Sequence, residues 1–270
     1  MIKYIFIVPY RNREQHKLFF ITYIKYLLED YDPSSYEIIF AHQKNDLPFN
    51  RGAMKNIGFL YAKQKYSYYK DINFIFNDID TLPYKKGLIN YDVQKNEIKH
   101  FYGFTFCLGG IFSIKGEDFE KINGFPSFWS WGYEDNVIYD RALEHGIHVN
   151  RSQFYKLLDI NILHLLDEYS KLTSKKNKTM TLNKEVYDGL NTLNNMNYYW
   201  NTETNMLDIT NFTCSYSSVD NTLMSNDLTK QERHFGNMYT IKKNNVLTPI
   251  PTNVTYTKQN TFGNIFKKMF

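Results

Sequence analysis

At 270 residues, with 43% hydrophobic and 22% charged side chains, the chain is long enough to bury a sizeable core and too apolar to be disordered. Its 32 basic and 28 acidic residues leave a net charge of only +4, too small and too scattered for nucleic acid to be the main partner. Two cysteines, Cys107 and Cys214, exclude both a disulfide scaffold and a thiolate zinc cluster.

Residues 4–8 form a continuous apolar run, as expected of a strand buried on both faces. The run passes directly into Pro9-Tyr10-Arg11-Asn12-Arg13 without a small-residue cleavage site, so it reads as a first strand rather than a secretory leader. No apolar stretch approaches the roughly 18 residues of a membrane-crossing helix. The expected setting is cytoplasmic, and the sequons at Asn150, Asn177, Asn211 and Asn253 are expected to stay unmodified. A helix is predicted over 14–29, a strand over 36–40, a helix over 51–65 and a strand over 73–76. Strand and helix in alternation indicate an α/β fold with a mostly parallel central sheet. Ligands collect at the carboxyl ends of such strands, which is where Tyr10-Arg11-Asn12-Arg13 and Asp78-Ile79-Asp80 fall.

Further along, Gly109-Gly110 leads into a predicted strand over 109–113. Short helices are predicted over 117–122, stopped by Asn123-Gly124, and over 134–144, stopped by His145-Gly146. From about Tyr216 the periodicity fades into Ser, Asn, Thr and Lys. The main domain is therefore placed at 1–217, with 218–270 as a polar appendage. Near its end, Phe262, Ile265, Phe266, Met269 and Phe270 recur at helical spacing beside Lys267 and Lys268. That stripe suits docking on the chain's own domain or a second subunit, or contact with a membrane surface.

Two segments carry the chemistry. Asp78 and Asp80, one residue apart after a buried strand, suit a hard divalent cation completed by water and phosphate oxygens. The same Asp-Ile-Asp-Thr string also fits a phosphohydrolase whose first Asp is the nucleophile, although that family carries it on its first strand. In Phe128-Trp129-Ser130-Trp131-Gly132-Tyr133-Glu134-Asp135, two tryptophans precede two acids at a predicted helix start. Either an aromatic platform and carboxylates hold a sugar, or the tryptophans are core and the acids cap the helix.

Taken with further blocks in fixed order, these segments resemble the β-1,4-galactosyltransferase family of GT-A glycosyltransferases. The blocks are Val8-Pro9-Tyr10-Arg11-Asn12-Arg13-Glu14-Gln15-His16, Phe49-Asn50-Arg51-Gly52 and Phe74-Ile75-Phe76-Asn77-Asp78-Ile79-Asp80-Thr81-Leu82-Pro83. Then come Gly109-Gly110-Ile111-Phe112, Lys121-Ile122-Asn123-Gly124-Phe125-Pro126 and Trp129-Ser130-Trp131-Gly132-Tyr133-Glu134-Asp135. A weaker match at Tyr187-Asp188-Gly189-Leu190 closes the domain. The resemblance implies a GT-A, Rossmann-like nucleotide-sugar-binding domain that transfers a hexose, galactose or N-acetylgalactosamine, from a UDP-sugar to a glycan hydroxyl with inversion. It implies that Pro9, Tyr10, Arg11, Arg13, Phe49, Asn50, Arg51 and Asp78 hold the donor nucleotide. By the same carry-over, Asp80 and His164 hold Mn²⁺, with Mg²⁺ as the other candidate, and Asp135 is the catalytic base. Cys107, Gly109, Gly110, Trp131, Glu134 and Asn136 are implied to face the sugars, and 165–180 to form a lid over donor and metal.

The match is not complete. Tyr133 stands where the family has Gly or Arg, Asn136 replaces an acceptor-contacting Asp, and Asn161 and Ile162 hold the places of a second metal ligand. Cys107 stands where vertebrate members carry a tyrosine that restricts the donor's 2-substituent, so acceptance of UDP-GalNAc is expected. A relative that binds UDP-sugar or glycan without turnover is the alternative reading.

Overall fold

The computed structural model describes residues 1–166, 170–219 and 223–227. They belong to one compact unit, Met1–Leu228, while Thr229–Phe270 form a second unit that lies outside the described residues, together with the apolar stripe expected at 262–270.

The chain enters through β1 (Tyr4–Tyr10), whose seven residues are all buried, followed by α1 (Glu14–Leu27), β2 (Tyr36–Gln43), α2 (Arg51–Lys65) and β3 (Asn73–Asn77). Both β2 and β3 pair with β1 in parallel, in the register Tyr4↔Tyr36 and Tyr4↔Asn73. Alternation along β1 sends Ile5 and Ile7 to one face, against Ala53, Met54 and Ile57 of α2. It sends Phe6 and Val8 to the other face, against Phe20, Ile24 and Leu27 of α1. A strand covered on both sides has no polar face to spare, which explains its unbroken apolar run.

After β3 come the short β4 (Thr81–Pro83), β5 (Glu97–Gly103) and β6 (Ile111–Lys115). The strand expected from residue 109 begins two residues later because Gly110 takes φ +72°, outside the extended region. It also runs antiparallel to β3, so the parallel pattern stops there. Next are α3 (Gly116–Lys121), α4 (Glu134–Glu144), β7 (His148–Asn150), β8 (Tyr155–Lys156) and β9 (Ile162–His164). The described chain closes with β10 (Ser170–Ser174), α5 (Lys175–Leu182), β11 (Asn194–Asn201), β12 (Met206–Thr213) and β13 (Leu223–Asp227). The main sheet runs β11-β12-β2-β1-β3-β6-β5-β7, with β8 beside β5, and is mostly parallel. Helices on both faces of this mostly parallel sheet make it the α/β architecture that the alternating strands and helices predict.

The junction between β2 and β12 is fixed by charge as well as by strand pairing. Asp208, paired in register with His42, is 1% exposed and accepts hydrogen bonds from His42 Nδ1 at 2.7 Å, Lys44 Nζ at 3.0 Å and Asn201 Nδ2 at 3.0 Å. Burial alone would push this carboxyl up, but the bonds from Asn201, His42 and Lys44 outweigh it and lower its pKa to about 2. A depressed carboxylate stabilises the fold above its ordinary pKa of 3.8 and loses that contribution as pH falls through about 2. Asp208→Asn is therefore expected to cost about 1–3 kcal/mol at neutral pH. In urea titrations the gap between variant and parent should close as pH is lowered from 3.8 to about 2.

Candidate active site

Five segments meet where β1 and β3 end. The turn after β1 brings Arg11 and Arg13, and the turn after β3 brings Asp78 and Asp80. α2 starts beside them because Asn50 caps it, its side chain accepting from Ala53 N at 2.9 Å while Nδ2 donates to Ser127 O at 2.9 Å. That second bond ties the loop carrying the tryptophans to the helix start. Gly52 completes the seam, since a Cβ there would stand 1.9 Å from Pro126 O. Only glycine lets α2 approach the loop so closely.

The same loop then turns into α4 through Gly132 at φ +97° and Tyr133 at φ +73°. The left-handed Tyr133 is a strained N-terminal residue for the helix. It faces Glu134 and Asp135 toward the strand ends.

A cleft of about 450 Å³ lies over this junction, lined by Pro9, Arg11, Arg13, Leu47, Phe49, Arg51, Asp78, Asp80, Trp131 and Glu134. Asp46 and Pro48 add to its wall, as do Lys171 and Leu172 of β10, whose Leu172 O accepts from Trp131 N at 2.6 Å. Part of the 165–180 stretch thus lines the cleft.

The expected pair of tryptophans divides between the two readings. Trp129 is core: buried, stacked on Phe212 at 5.0 Å, and donating Nε1 to Tyr216 O at 2.9 Å. Trp131 is 43% exposed in the cleft wall, a free aromatic face where a sugar ring could lie. The sequon at Asn177 is spent on this loop, its Nδ2 donating to Ser130 Oγ at 2.7 Å.

Oppositely charged groups are interleaved beneath the cleft. Arg51 lies 3.5 Å from Asp78 and 3.8 Å from Glu134, and Arg13 lies 3.2 Å from Asp80. Lys55, one helical turn after Arg51, places Nζ 3.5 Å from Asp78 and 3.4 Å from Asp135. Burial works against the charge on Lys55, yet Asp135 and Asp78 outweigh it and raise its pKa. For Asp78 burial pushes upward while Lys55 and Arg51 win and lower it. Glu134, 2% exposed, goes the other way: burial, then the neighbouring Asp135 charge, push it up to about 7. Asp135 is also raised by burial, against the pull of Lys55.

The remaining expected residues lie around this centre. Gly109 backs onto Asp135, for a Cβ there would meet Oδ2 at 2.9 Å. Leu108 N donates to Asp135 O at 2.9 Å, and the adjacent buried Cys107 has its thiol pushed up to about 12 by burial and then by Asp135. Gly110 O accepts from Asp78 N at 3.0 Å, joining the glycine pair to the Asp-x-Asp turn. Asn136 Nδ2 donates to Phe106 O at 3.3 Å. Of the expected residues, Tyr10, Asn50, Cys107, Gly109, Gly110, Asp135, Asn136 and His164 stand behind or beside the residues that line the cleft rather than among them. Tyr10 packs edge-on to His42 and Phe40, and Asn50 is spent on the cap.

Asp80 and His164 are brought together by strand pairing. β4 and β9 set Thr81 opposite His164, and Leu165 N donates to Asp80 O at 2.8 Å. His164 Nδ1 is 2.8 Å from Tyr102 Oη. The tautomer that donates Nδ1–H to this oxygen leaves the Nε2 lone pair for a cation. One carboxylate and one imidazole fit a borderline-hard ion such as Mn²⁺. No group of three His, Cys, Asp or Glu side chains gathers among the described residues, so other ligands would be phosphate oxygens and water.

Lys55 was not singled out for this site by sequence; a lysine at i+4 from Arg51 is its only local signal, whereas Lys171 and Leu172 fall in the 165–180 stretch expected to lie over the donor.

Residues 1–91 match the family described as the N-terminal region of glycosyl transferase group 7, and 91–165 the one described as the N-terminal domain of galactosyltransferase. Among curated relatives, β-1,4-galactosyltransferase 1 of Mus musculus is 29% identical over 198 residues, which cover 69% of this chain and 49% of that one. β-1,4-Galactosyltransferase 5 of Homo sapiens is 28% identical over 214 residues, covering 72% and 51%. The chain thus spans about half the length of these relatives. The crystal structure of the catalytic domain of Drosophila β1,4-galactosyltransferase 7 with xylobiose superposes with a TM-score of 0.65 at 21% identity, over 80% of this chain and 96% of that one. A mutant of the same Drosophila protein, in complex with manganese, UDP-Gal and xylobiose, gives the same score at 20% identity and the same coverage. The order of the motifs, the fold and the matched families lead to one conclusion: the chain belongs to the β-1,4-galactosyltransferase family.

Proposed function

We propose that this protein is an inverting glycosyltransferase that moves galactose from UDP-galactose to a glycan hydroxyl and forms a β-linkage. The observation that carries this reading is the meeting of Asp78, Glu134 and Asp135 with Arg51 and Lys55 beneath a cleft walled by Arg11, Arg13, Phe49 and Trp131. Relatives with the same ordered motifs are galactosyltransferases, and the Drosophila neighbour holds UDP-Gal and manganese.

In this reading the cations of Arg11, Arg13 and Arg51 receive the diphosphate, and Phe49 and Pro9 wall the nucleoside. Asp80 and His164 would hold a divalent cation, Mn²⁺ or Mg²⁺, which when bound would neutralise charge on the departing UDP. Arg13 then exchanges its contact with Asp80 for one with phosphate. Trp131 carries the apolar face of a sugar, and Glu134, raised to about 7, offers a carboxyl that can donate or accept at its hydroxyls near neutrality. Asp135 takes the proton of the acceptor hydroxyl as that oxygen bonds to the anomeric carbon. The bond from this carbon to the phosphate oxygen breaks on the opposite face, and its electron pair leaves with UDP. β10, docked on Trp131 and lining the cleft, would shield the reacting atoms from water. By the family resemblance Cys107 falls on the donor-sugar side, where a side chain smaller than tyrosine would leave room for an N-acetyl group, so UDP-GalNAc is proposed as a second donor.

Base assistance is worth roughly 10²–10⁴-fold. Asp135→Asn is therefore expected to lower the rate of UDP release with UDP-galactose and a glycan acceptor by about that factor, while UDP binding stays close to the parent. A variant as fast as the parent removes Asp135 from the role. A parent that binds UDP-galactose yet releases no UDP with any glycan acceptor supports the non-catalytic reading instead.

The metal assignment is tested separately. Outer-shell partners of a metal-binding histidine typically contribute 10–100-fold to affinity. Tyr102→Phe should weaken Mn²⁺ binding by about that amount in calorimetric titration; unchanged affinity contradicts a metal at His164.

A further inference from the structure

Lysine is almost never fully buried without a partner, and Lys55 is 1% exposed on the buried side of α2, one turn after Arg51. Its stem lies among core side chains and its ammonium stands 4.6 Å from the centroid of Phe125. Among the described residues it is the cation within 4 Å of Asp135, at 3.4 Å from Oδ1, and it reaches Asp78 at 3.5 Å as well. Arg51 serves a different set, Asp78 and Glu134. Asp78 would therefore keep a cation without Lys55, and Asp135 would not. Removing water from an ammonium is costly, and a helix that only had to pack would carry a methionine or leucine here.

We propose that Lys55 is a positioning residue for the transfer, its buried ammonium fixing the Asp135 carboxylate in the orientation and charge state that lets it take the acceptor's proton. This rests on the glycosyltransferase reading of the site. The carboxylate is held from two sides. Oδ1 faces Lys55, while Oδ2 abuts Gly109, where even a Cβ would intrude at 2.9 Å. Lys55 also bridges elements: α2 carries it, α4 carries Asp135, and Asp78 closes β3. One ammonium thus sets the base at a fixed distance from the Asp-x-Asp turn.

The charge state depends on everything facing Asp135. Asp78 after β3 and Glu134 on its own helix disfavour a second negative charge, and the neutral Cys107 thiol before β6 adds none. Arg51 and Lys55 of α2 favour it, Lys55 more strongly. With Lys55 neutral, the balance tips toward a protonated carboxyl that cannot act as a base.

The test compares pH profiles of UDP release and KM for UDP-galactose in the parent, Lys55→Met and Lys55→Arg. The methionine fills the apolar slot without charge. Its kcat near neutrality is expected to fall about tenfold or more, with KM for the donor within about threefold. The acid limb of its kcat profile should move up by about 1–3 pH units, the effect of losing an opposite charge within 4–6 Å. Lys55→Arg keeps the charge, so its limb should stay at the parent's pH. Should the methionine variant not fold, Lys55→Gln provides the neutral comparison. A neutral variant with the parent's kcat and acid limb overturns the role, since a purely structural lysine would leave the limb in place. A parent without UDP release contradicts the transferase reading and the role together; an active parent beside an unaltered neutral variant contradicts the role of Lys55 alone.

Discussion

Everything at this site depends on burying opposite charges together where the parallel strands end. Asp78, Glu134 and Asp135 cannot remain charged side by side in a shielded pocket without Arg51 and Lys55 between them. These cations come from a single helix, so the placement of α2 decides whether the cluster exists. That placement is set by the Asn50 cap, by Gly52 against Pro126, and by apolar packing of Ala53, Met54 and Ile57 on β1 and β2. A chain of ordinary packing forces thus ends in an arrangement whose chemistry is electrostatic.

The cluster divides its acids into different states. Asp78 is held down by two cations, while Glu134 is pushed up to about 7 by burial and by Asp135. Neighbouring carboxyl groups separated in this way can do different work at one pH. Strain contributes as well. The left-handed turn through Gly132 and Tyr133 aims the first residues of α4 at the strand ends. Tyr133 adopts a conformation that glycine adopts without cost, so the departure at this position changes the side chain but keeps the turn.

Much of this was legible in the sequence because the signals are local. The buried β1 shows as an apolar run, α2 and α4 match their predicted spans, and the strand ends carry charged motifs. The parts that escaped prediction depend on distant partners. β11, with alternating exposed Asn and Tyr, looks polar until β12 pairs with it. The two tryptophans, identical in type and one residue apart, have opposite roles because Trp129 meets Phe212 from the far end of the chain. Asn50 carries a structural duty that its motif does not announce, since its side chain caps α2 and ties the tryptophan loop to the helix start.

The central claim is that this charge cluster and the cleft above it form a metal-assisted site for a nucleotide sugar. Thermal unfolding with saturating UDP-galactose, in Mn²⁺ and again in EDTA, tests it most directly. A ligand at 100 times its dissociation constant stabilises by about 2.7 kcal/mol, a rise of a few degrees for a domain of this size. The account predicts that rise in Mn²⁺, a much smaller one in EDTA, and its loss in Asp80→Asn. Identical melting with and without UDP-galactose, in the presence of Mn²⁺, would contradict it.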